Sequence, residues 1–166
     1  MLKPILSALI VCSAMLGAQA QKYGYINSGE ILNAMPEVKA ANTQLEDFSK
    51  PMQAEIKTKS DKLQEDSKKF STRTSTGSVP QAEYDKQVAG FEAAQKDITK
   101  LETEMNKAVE AKQQEIMKPI YDKLNNAVKA VAQEKGAAAV FFSDVFAYAD
   151  DVINFTPAVK AKLGIK

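Results

Sequence analysis

The sequence predicts a mostly α-helical α+β protein, in which a long antiparallel helical hairpin is inserted between the strands of a small β-containing head. Two amphipathic helical patterns flank a short break at residues 74–80, which predicts the hairpin. Short segments rich in aromatic and β-branched residues lie near both ends, which predicts the strands. We expect residues 21–40 and 120–166 to form the head and residues 41–119 to form a coiled-coil arm.

The N-terminus resembles a secretory signal peptide. Lys3 is followed by an apolar run at residues 5–16, which is too short to span a bilayer comfortably, and Ala18-Gln19-Ala20 fits an A-x-A cleavage site. We therefore predict cleavage after Ala20, and we prefer this interpretation to a membrane anchor. The mature chain would begin at Gln21, outside the cytoplasm.

The composition argues against several kinds of active site. The chain has no histidine, and its one cysteine leaves with the signal peptide, which removes His- and Cys-based nucleophiles and metal sites. The carboxylate pairs Glu102/Glu104 and Asp150/Asp151 are better explained by a solvated helix face and a turn. Without Lys3 the 22 basic residues become 21, equal to the 21 acidic residues, so the mature chain is formally neutral. We predict no enzymatic activity, no cofactor, no metal and no nucleic-acid partner.

The predicted head consists of short elements. We expect a strand at residues 23–27, a helix at 29–35 capped by Ser28, strands at 137–143 and 145–149, a third segment at 152–155, and a helix opened by Thr156-Pro157. So small a core is marginal alone, and its apolar content is high, which indicates burial against other subunits. The residues predicted for the head core or the subunit interface are Tyr25, Ile26, Val140, Phe141, Phe142, Phe146 and Tyr148. Adjacent Phe141 and Phe142 would point to opposite faces, one toward the protomer core and the other toward the interface.

The arm follows from heptad-like spacing. Apolar residues between Leu45 and Phe70, and between Phe91 and Ala108, recur at steps of three, four or seven, and a candidate cap at Ser78 precedes the second helix. Pro51 lies beside a four-residue step in the first helix, and Pro119 interrupts the second. Because a proline removes one helix hydrogen bond, both are candidate hinges.

The order of these segments resembles the Skp/OmpH family of periplasmic chaperones. The resemblance covers the whole mature chain and depends on order and spacing, because no single motif is a strict signature. Its carrying segments are Lys22-Tyr23-Gly24-Tyr25-Ile26-Asn27-Ser28, residues 124–132, Ala139-Val140-Phe141-Phe142, Ala147-Tyr148-Ala149-Asp150-Asp151-Val152 and Phe155-Thr156.

The resemblance implies a homotrimer with a β-barrel-like body, whose three hairpins act as tentacles around a cavity. The cavity would hold unfolded outer-membrane proteins without ATP or metal, and lipopolysaccharide and the outer-membrane assembly machinery are further candidate partners. The neutral charge departs from well-known members, which are markedly basic. Only the tentacle tip is locally basic in sequence, either as a solvated loop or as a client- or lipid-facing surface. The candidate client contacts are Lys68, Lys69, Phe70, Arg73, Met105 and Met117, although the apolar members also fit the hairpin seam.

Two other classes of protein are alternatives to a chaperone. A structural or adaptor coiled-coil protein of the cell envelope, such as the hairpin of an efflux-type fusion protein, would need split lipoyl-like and barrel domains around the hairpin. The flanks at residues 21–40 and 120–166 are too short for them. An enzyme is disfavoured by the missing histidine and cysteine.

Overall fold

The computed structural model describes residues 22–77 and 79–165. The predicted signal peptide at residues 1–20, its cleavage after Ala20 and the predicted Ser78 cap lie outside the described residues. The described elements are, in chain order, β1 (Lys22–Ile26), α1 (Ser28–Ala34), α2 (Pro36–Ser75), α3 (Gln81–Lys135), β2 (Ala137–Phe142), two short 3₁₀ turns (Ser143–Val145 and Asp151–Ile153) and α4 (Thr156–Leu163). Two long helices and one small strand pair confirm the predicted fold class.

The chain divides into two compact units. The strand unit comprises residues 22–35 and 122–165 of the described chain, and the hairpin unit comprises Pro36–Tyr121. Helix α3 begins in the hairpin unit, and its last part, from Asp122, belongs to the strand unit.

The strand unit contains a two-stranded parallel sheet. Strands β1 and β2 pair in register from Tyr23 with Ala139 to Ile26 with Phe142. Parallel strands require a long crossover connection, and the residues of α1, α2 and α3 supply it. Because a two-stranded sheet is marginal in water, it depends on the helices packed against it.

The core of the strand unit lies between one sheet face and the helices. Gly24 and Ile26 are buried, and the Phe155 ring lies so close to Gly24 that an added Cβ would overlap it. The fully or nearly fully buried residues of this unit are Ile26, Ile31, Met35, Leu124, Ala127, Val131, Phe155, Thr156 and Val159.

Two buried polar links join the first and last elements of the strand unit. The Phe155 N–H donates to the Tyr25 carbonyl at 2.8 Å, and the Asn27 N–H donates to the Thr156 hydroxyl at 2.9 Å. Asn27, not Ser28, caps α1, since its side chain accepts from the Glu30 N–H. Thr156 does not cap α4 as predicted, because its hydroxyl is committed to Asn27 and Phe155 occupies the cap position.

The predictions for residues 145–155 were partly wrong. Residues 145–149 form no strand, and 3₁₀ turns occupy Ser143–Val145 and Asp151–Ile153 instead. The third segment contributes only one bridge, between Asn154 and Tyr25. The Asp150 side chain accepts from the Val152 N–H and thereby fixes the second turn, a local interaction that competes with strand pairing.

The hairpin unit is held together at its tip by aromatic packing. Phe70 of α2 is 9% exposed, and its ring centroid lies 5.5 Å from that of Tyr84 and 5.6 Å from that of Phe91, both on α3. Arg73 and Glu83 join the same two helices through a 2.6 Å ion pair. These contacts explain why two helices with few apolar residues remain paired near the turn.

Candidate functional site

The described residues expose large apolar and charged side chains on several surfaces. Residues 22–77 and 79–165 contain no group of three or more His, Cys, Asp or Glu side chains placed to hold a metal ion. None of the helices in this part of the chain combines the length and apolar composition needed to cross a membrane.

The strand unit exposes an unusual number of large apolar side chains. Tyr148 and Val152 are 84% and 81% exposed, and Phe141 and Phe142 are 42% and 55% exposed. We call the set the apolar surface residues: Tyr23, Phe141, Phe142, Val145, Tyr148 and Val152. All of them belong to β1, β2 or the segment that follows β2.

Several of these side chains are organised by ring contacts on one sheet face. The Phe141 centroid lies 6.1 Å from that of Tyr23 and 5.7 Å from that of Phe146, the latter edge-on. Tyr25 is 6.0 Å from Phe146. Tyr23 and Val152 also line an open cavity of about 670 Å³ in the same unit. The aromatic residues are thus held in place while remaining accessible.

Tyr25 anchors the segment after β2 to β1. Burial raises the pKa of the Tyr25 hydroxyl, and the neighbouring Asp151 carboxylate, to which the hydroxyl is hydrogen-bonded, raises it further. The hydroxyl therefore remains protonated well above neutral pH and acts as a donor to Asp151.

The predicted head residues fall into three groups. Ile26 is buried in the core of the strand unit, as a protomer-core residue would be. Tyr25, Val140 and Phe146 are half-buried, whereas Phe141, Phe142 and Tyr148 are exposed. The expectation that either Phe141 or Phe142 enters the protomer core was wrong, because β2 lies at the edge of the sheet and both rings remain more than one-third exposed. Their role in a subunit interface stays a prediction.

Tyr23, Val145 and Val152 were not among the predicted site residues. Tyr23 could have been found from its period-two spacing with Tyr25 on β1. The exposure of Val145 and Val152 could not, because it follows from the 3₁₀ turns that replace the predicted strands.

The cations at the tip are largely compensated. Lys69 pairs with Glu65 at 2.5 Å and Arg73 with Glu83 at 2.6 Å. The Lys69 ammonium, hydrogen-bonded to Glu65, also holds the pKa of that carboxyl below its usual value. Lys68 is exposed and has no ion-pair partner within the described ranges. The tip is less basic than its sequence indicates, because both acidic partners lie just outside the stretch from Ser67 to Gln81, which contains no acidic residue.

The apolar candidates for client contact are less accessible than predicted. Phe70 lies in the aromatic core of the hairpin tip, and Met105 and Met117 are half-buried. The side chains most exposed among the large apolar residues of the hairpin unit are instead Phe48, Tyr84 and Tyr121.

The candidate hinges, Pro51 and Pro119, are both exposed and both lie within helices. Two residues before Pro51, the Ser49 hydroxyl donates to the Glu46 carbonyl. Motion at either proline stays a prediction.

Sequence and structure comparisons agree with this architecture. The OmpH family, described as outer membrane protein (OmpH-like), matches residues 22–163. A crystal structure of a candidate outer membrane chaperone (OmpH-like) from Caulobacter crescentus CB15 resembles the chain with a TM-score of 0.66 and 20% identity, covering 89% of this chain and 86% of that one. At that identity the likeness concerns the fold alone. None of the curated proteins compared with the chain is significantly similar to it. Because the family match extends over both units, the chain belongs to the OmpH-like family.

Proposed function

We propose that the protein is an ATP-independent holdase chaperone of the periplasm, which binds unfolded outer-membrane proteins in a cavity between the arms of a homotrimer. The observation that carries the proposal is the set of exposed apolar residues on the strand unit of an OmpH-like chain. Soluble monomers rarely expose large contiguous apolar patches, and such patches usually mark interaction sites.

The strand unit has a second feature that supports assembly. Asn154 bridges to Tyr25 of β1, whose other edge pairs with β2. The outer edge of β2 has no partner strand among residues 22–77 and 79–165. An exposed strand edge readily pairs with another chain, and Phe142 at the end of β2 is 55% exposed. Pairing between copies at this edge would bury both the backbone groups and the aromatic rings.

The arms are suited to binding a client without a chemical reaction. Unfolded β-barrel proteins expose apolar strands that would otherwise pair and aggregate. Release without ATP requires weak, reversible contacts, which half-buried side chains such as Met105 and Met117 provide better than a deep pocket would. Since Lys69 and Arg73 are paired within the hairpin, the proposal does not extend to lipopolysaccharide binding at the tip.

The proposal is tested by combining assembly and aggregation measurements on the mature protein. Sedimentation equilibrium should give about three times the chain mass, and stoichiometric protein should keep an unfolded outer-membrane barrel protein soluble without ATP. Phe142→Asp should weaken assembly, because a buried unpaired charge costs several kcal/mol. Asn125→Asp, an exposed site on α3 in the same unit, is the matched control and should leave assembly unchanged. A stable monomer that fails to suppress aggregation would favour a structural or adaptor coiled-coil protein instead.

A further inference from the structure

Two open grooves lie on opposite sides of the seam between α2 and α3, at the same position along the two helices. The first groove, of about 470 Å³, is lined by Ser60, Leu63, Gln64, Ser67, Phe91, Glu92, Gln95 and Ile98. The second groove, of about 330 Å³, is lined by Lys59, Lys62, Leu63, Asp66, Gln87, Gly90, Phe91, Ala94, Asp97 and Ile98. Both volumes fall within the roughly 300–1,000 Å³ range of ligand pockets.

The two grooves share one apolar wall. Leu63 of α2 and Phe91 and Ile98 of α3 line both of them, so these side chains form the seam that separates the flanks. Ile98 is only 4% exposed, whereas Leu63 and Phe91 are half-buried. The two grooves therefore share these three apolar residues, and they differ most in their rims.

The rims differ in charge. Ser60, Gln64, Ser67 and Gln95 give the first groove an uncharged rim of hydroxyls and amides, with Glu92 as its one ionised side chain. Lys59, Lys62, Asp66 and Asp97 give the second groove four ionised side chains. Covering the second groove would remove these charges from water, which is costly unless the covering segment supplies matching charges.

We propose that the first groove binds short, extended, uncharged segments of unfolded β-barrel proteins, and that the second groove remains solvated. This rests on the chaperone function proposed above. A transmembrane β-strand alternates apolar and polar side chains. Its apolar face would lie on Leu63 and Phe91, the half-buried residues of the shared wall, and its backbone amides and carbonyls would pair with Gln64 and Gln95 on the rim. The cost of removing charges from water favours this occupant, because Glu92 is the one ionised side chain on the first rim, whereas the second rim has four.

The dimensions predict weak binding. Ser60 to Ser67 covers about 10 Å of helix axis at 1.5 Å per residue, which corresponds to about three residues of an extended strand. Each arm would hold one or two apolar side chains at this place and would release them readily. Such contacts suit a chaperone that lets clients go without an energy source.

Gln95 and Gln87 form a matched pair for the test. Both lie on α3, eight residues apart, which places them about 80° apart around the helix. Gln95 lines the first groove and Gln87 the second. The same Gln→Glu change at either position adds one negative charge to a different flank of the same helix.

The experiment uses the full mature protein and an unfolded outer-membrane barrel protein as the probe. A photo-crosslinking residue at position 95 should capture the client much more strongly than one at position 87. Gln95→Glu should weaken client binding about tenfold, which corresponds to about 1.4 kcal/mol, because the new charge must be removed from water when the groove is covered. Gln87→Glu should leave client binding unchanged.

The outcomes separate this proposal from the chaperone function. Equal crosslinking at both positions, or equal effects of both Glu variants, in a protein that still suppresses aggregation would overturn the groove proposal and leave the chaperone function standing. Absence of suppression by the wild-type protein would overturn both.

Discussion

Replacing Phe70 with Ala should loosen the tip of the hairpin without affecting the strand unit. Phe70 is 9% exposed, and its ring packs against Tyr84 at 5.5 Å and Phe91 at 5.6 Å. Truncation removes the side chain that joins α2 to α3 at this point. The sequence leaves the same residue open as either a client contact or a member of the hairpin seam, so the substitution discriminates between the two roles.

The expected cost follows from the burial of the ring. Phe→Ala substitutions in protein cores cost about 3–5 kcal/mol. We expect about 3 kcal/mol here, because a layer of only two helices can relax around part of the cavity. Since every 1.4 kcal/mol is tenfold, amide exchange through local opening near the tip should accelerate about 100-fold.

Hydrogen exchange resolved by residue is the appropriate assay, because local opening need not change global unfolding. The amides of α2 and α3 around Phe70 should exchange faster, and those of β1, β2 and α4 should not. Phe48→Ala is the matched control, since Phe48 lies on the same helix and is 36% exposed. Exchange near the tip should be unaffected by it.

One result would refute the reasoning. If Phe70→Ala left tip exchange at the wild-type rate but abolished client binding, the ring would be a client contact and not a core residue. Loss of binding accompanied by faster exchange would leave the structural role in place.

Three further predictions concern the strand unit and the arm. Gly24→Ala should lower the melting temperature of the strand unit, because the new methyl group overlaps the Phe155 ring and overpacking costs about 1–3 kcal/mol; unchanged melting would mean that the ring moves freely. Thr156→Val should cost about 1–3 kcal/mol in denaturant unfolding, because it leaves the Asn27 N–H without its acceptor; Thr156→Ser, which keeps the hydroxyl, should cost less. Pro51→Ala should restore a helix hydrogen bond and stiffen the arm, so the distribution of arm-to-arm distances between spin labels near the tip should change and capture of large clients should fall more than capture of small ones; unchanged distance distributions and unchanged capture would show that Pro51 is not a hinge.

The long helices were predictable because their signals are local and repeated. Helix α3 runs from Gln81 to Lys135, and the apolar stripe between Phe91 and Ala108 predicts a helix there. Gly136 follows it with a φ of 63°, a conformation that glycine adopts without strain. Heptad spacing, a preceding proline and a following glycine all point to the same element, and each can be read without knowledge of distant contacts.

The candidate site was less predictable, because burial depends on what lies opposite each residue. Spacing placed Phe70 on an apolar stripe but could not decide between the seam and a client-facing surface. The rim of the first groove carries no sequence signature at all. Gln64 and Gln95 are ordinary polar helix residues, and only the pairing of α2 with α3 brings them to the same groove.

Acidic and basic residues are nearly balanced in the hairpin unit, and several of them pair within one helix. Four ion pairs join residues three or four apart: Lys57 with Asp61, Glu65 with Lys69, Lys100 with Glu104, and Lys112 with Glu115. Pairs at this spacing stabilise exposed helices by about 0.2–0.5 kcal/mol each, which suits long helices that have few apolar neighbours. Because the charges compensate each other locally, the arm projects little net field toward a partner. If the proposed chaperone function holds, we expect client selection to depend on the apolar seam and on the rim of the first groove, where Glu92 is the one ionised side chain, and client binding to be insensitive to salt, unlike capture by a basic surface.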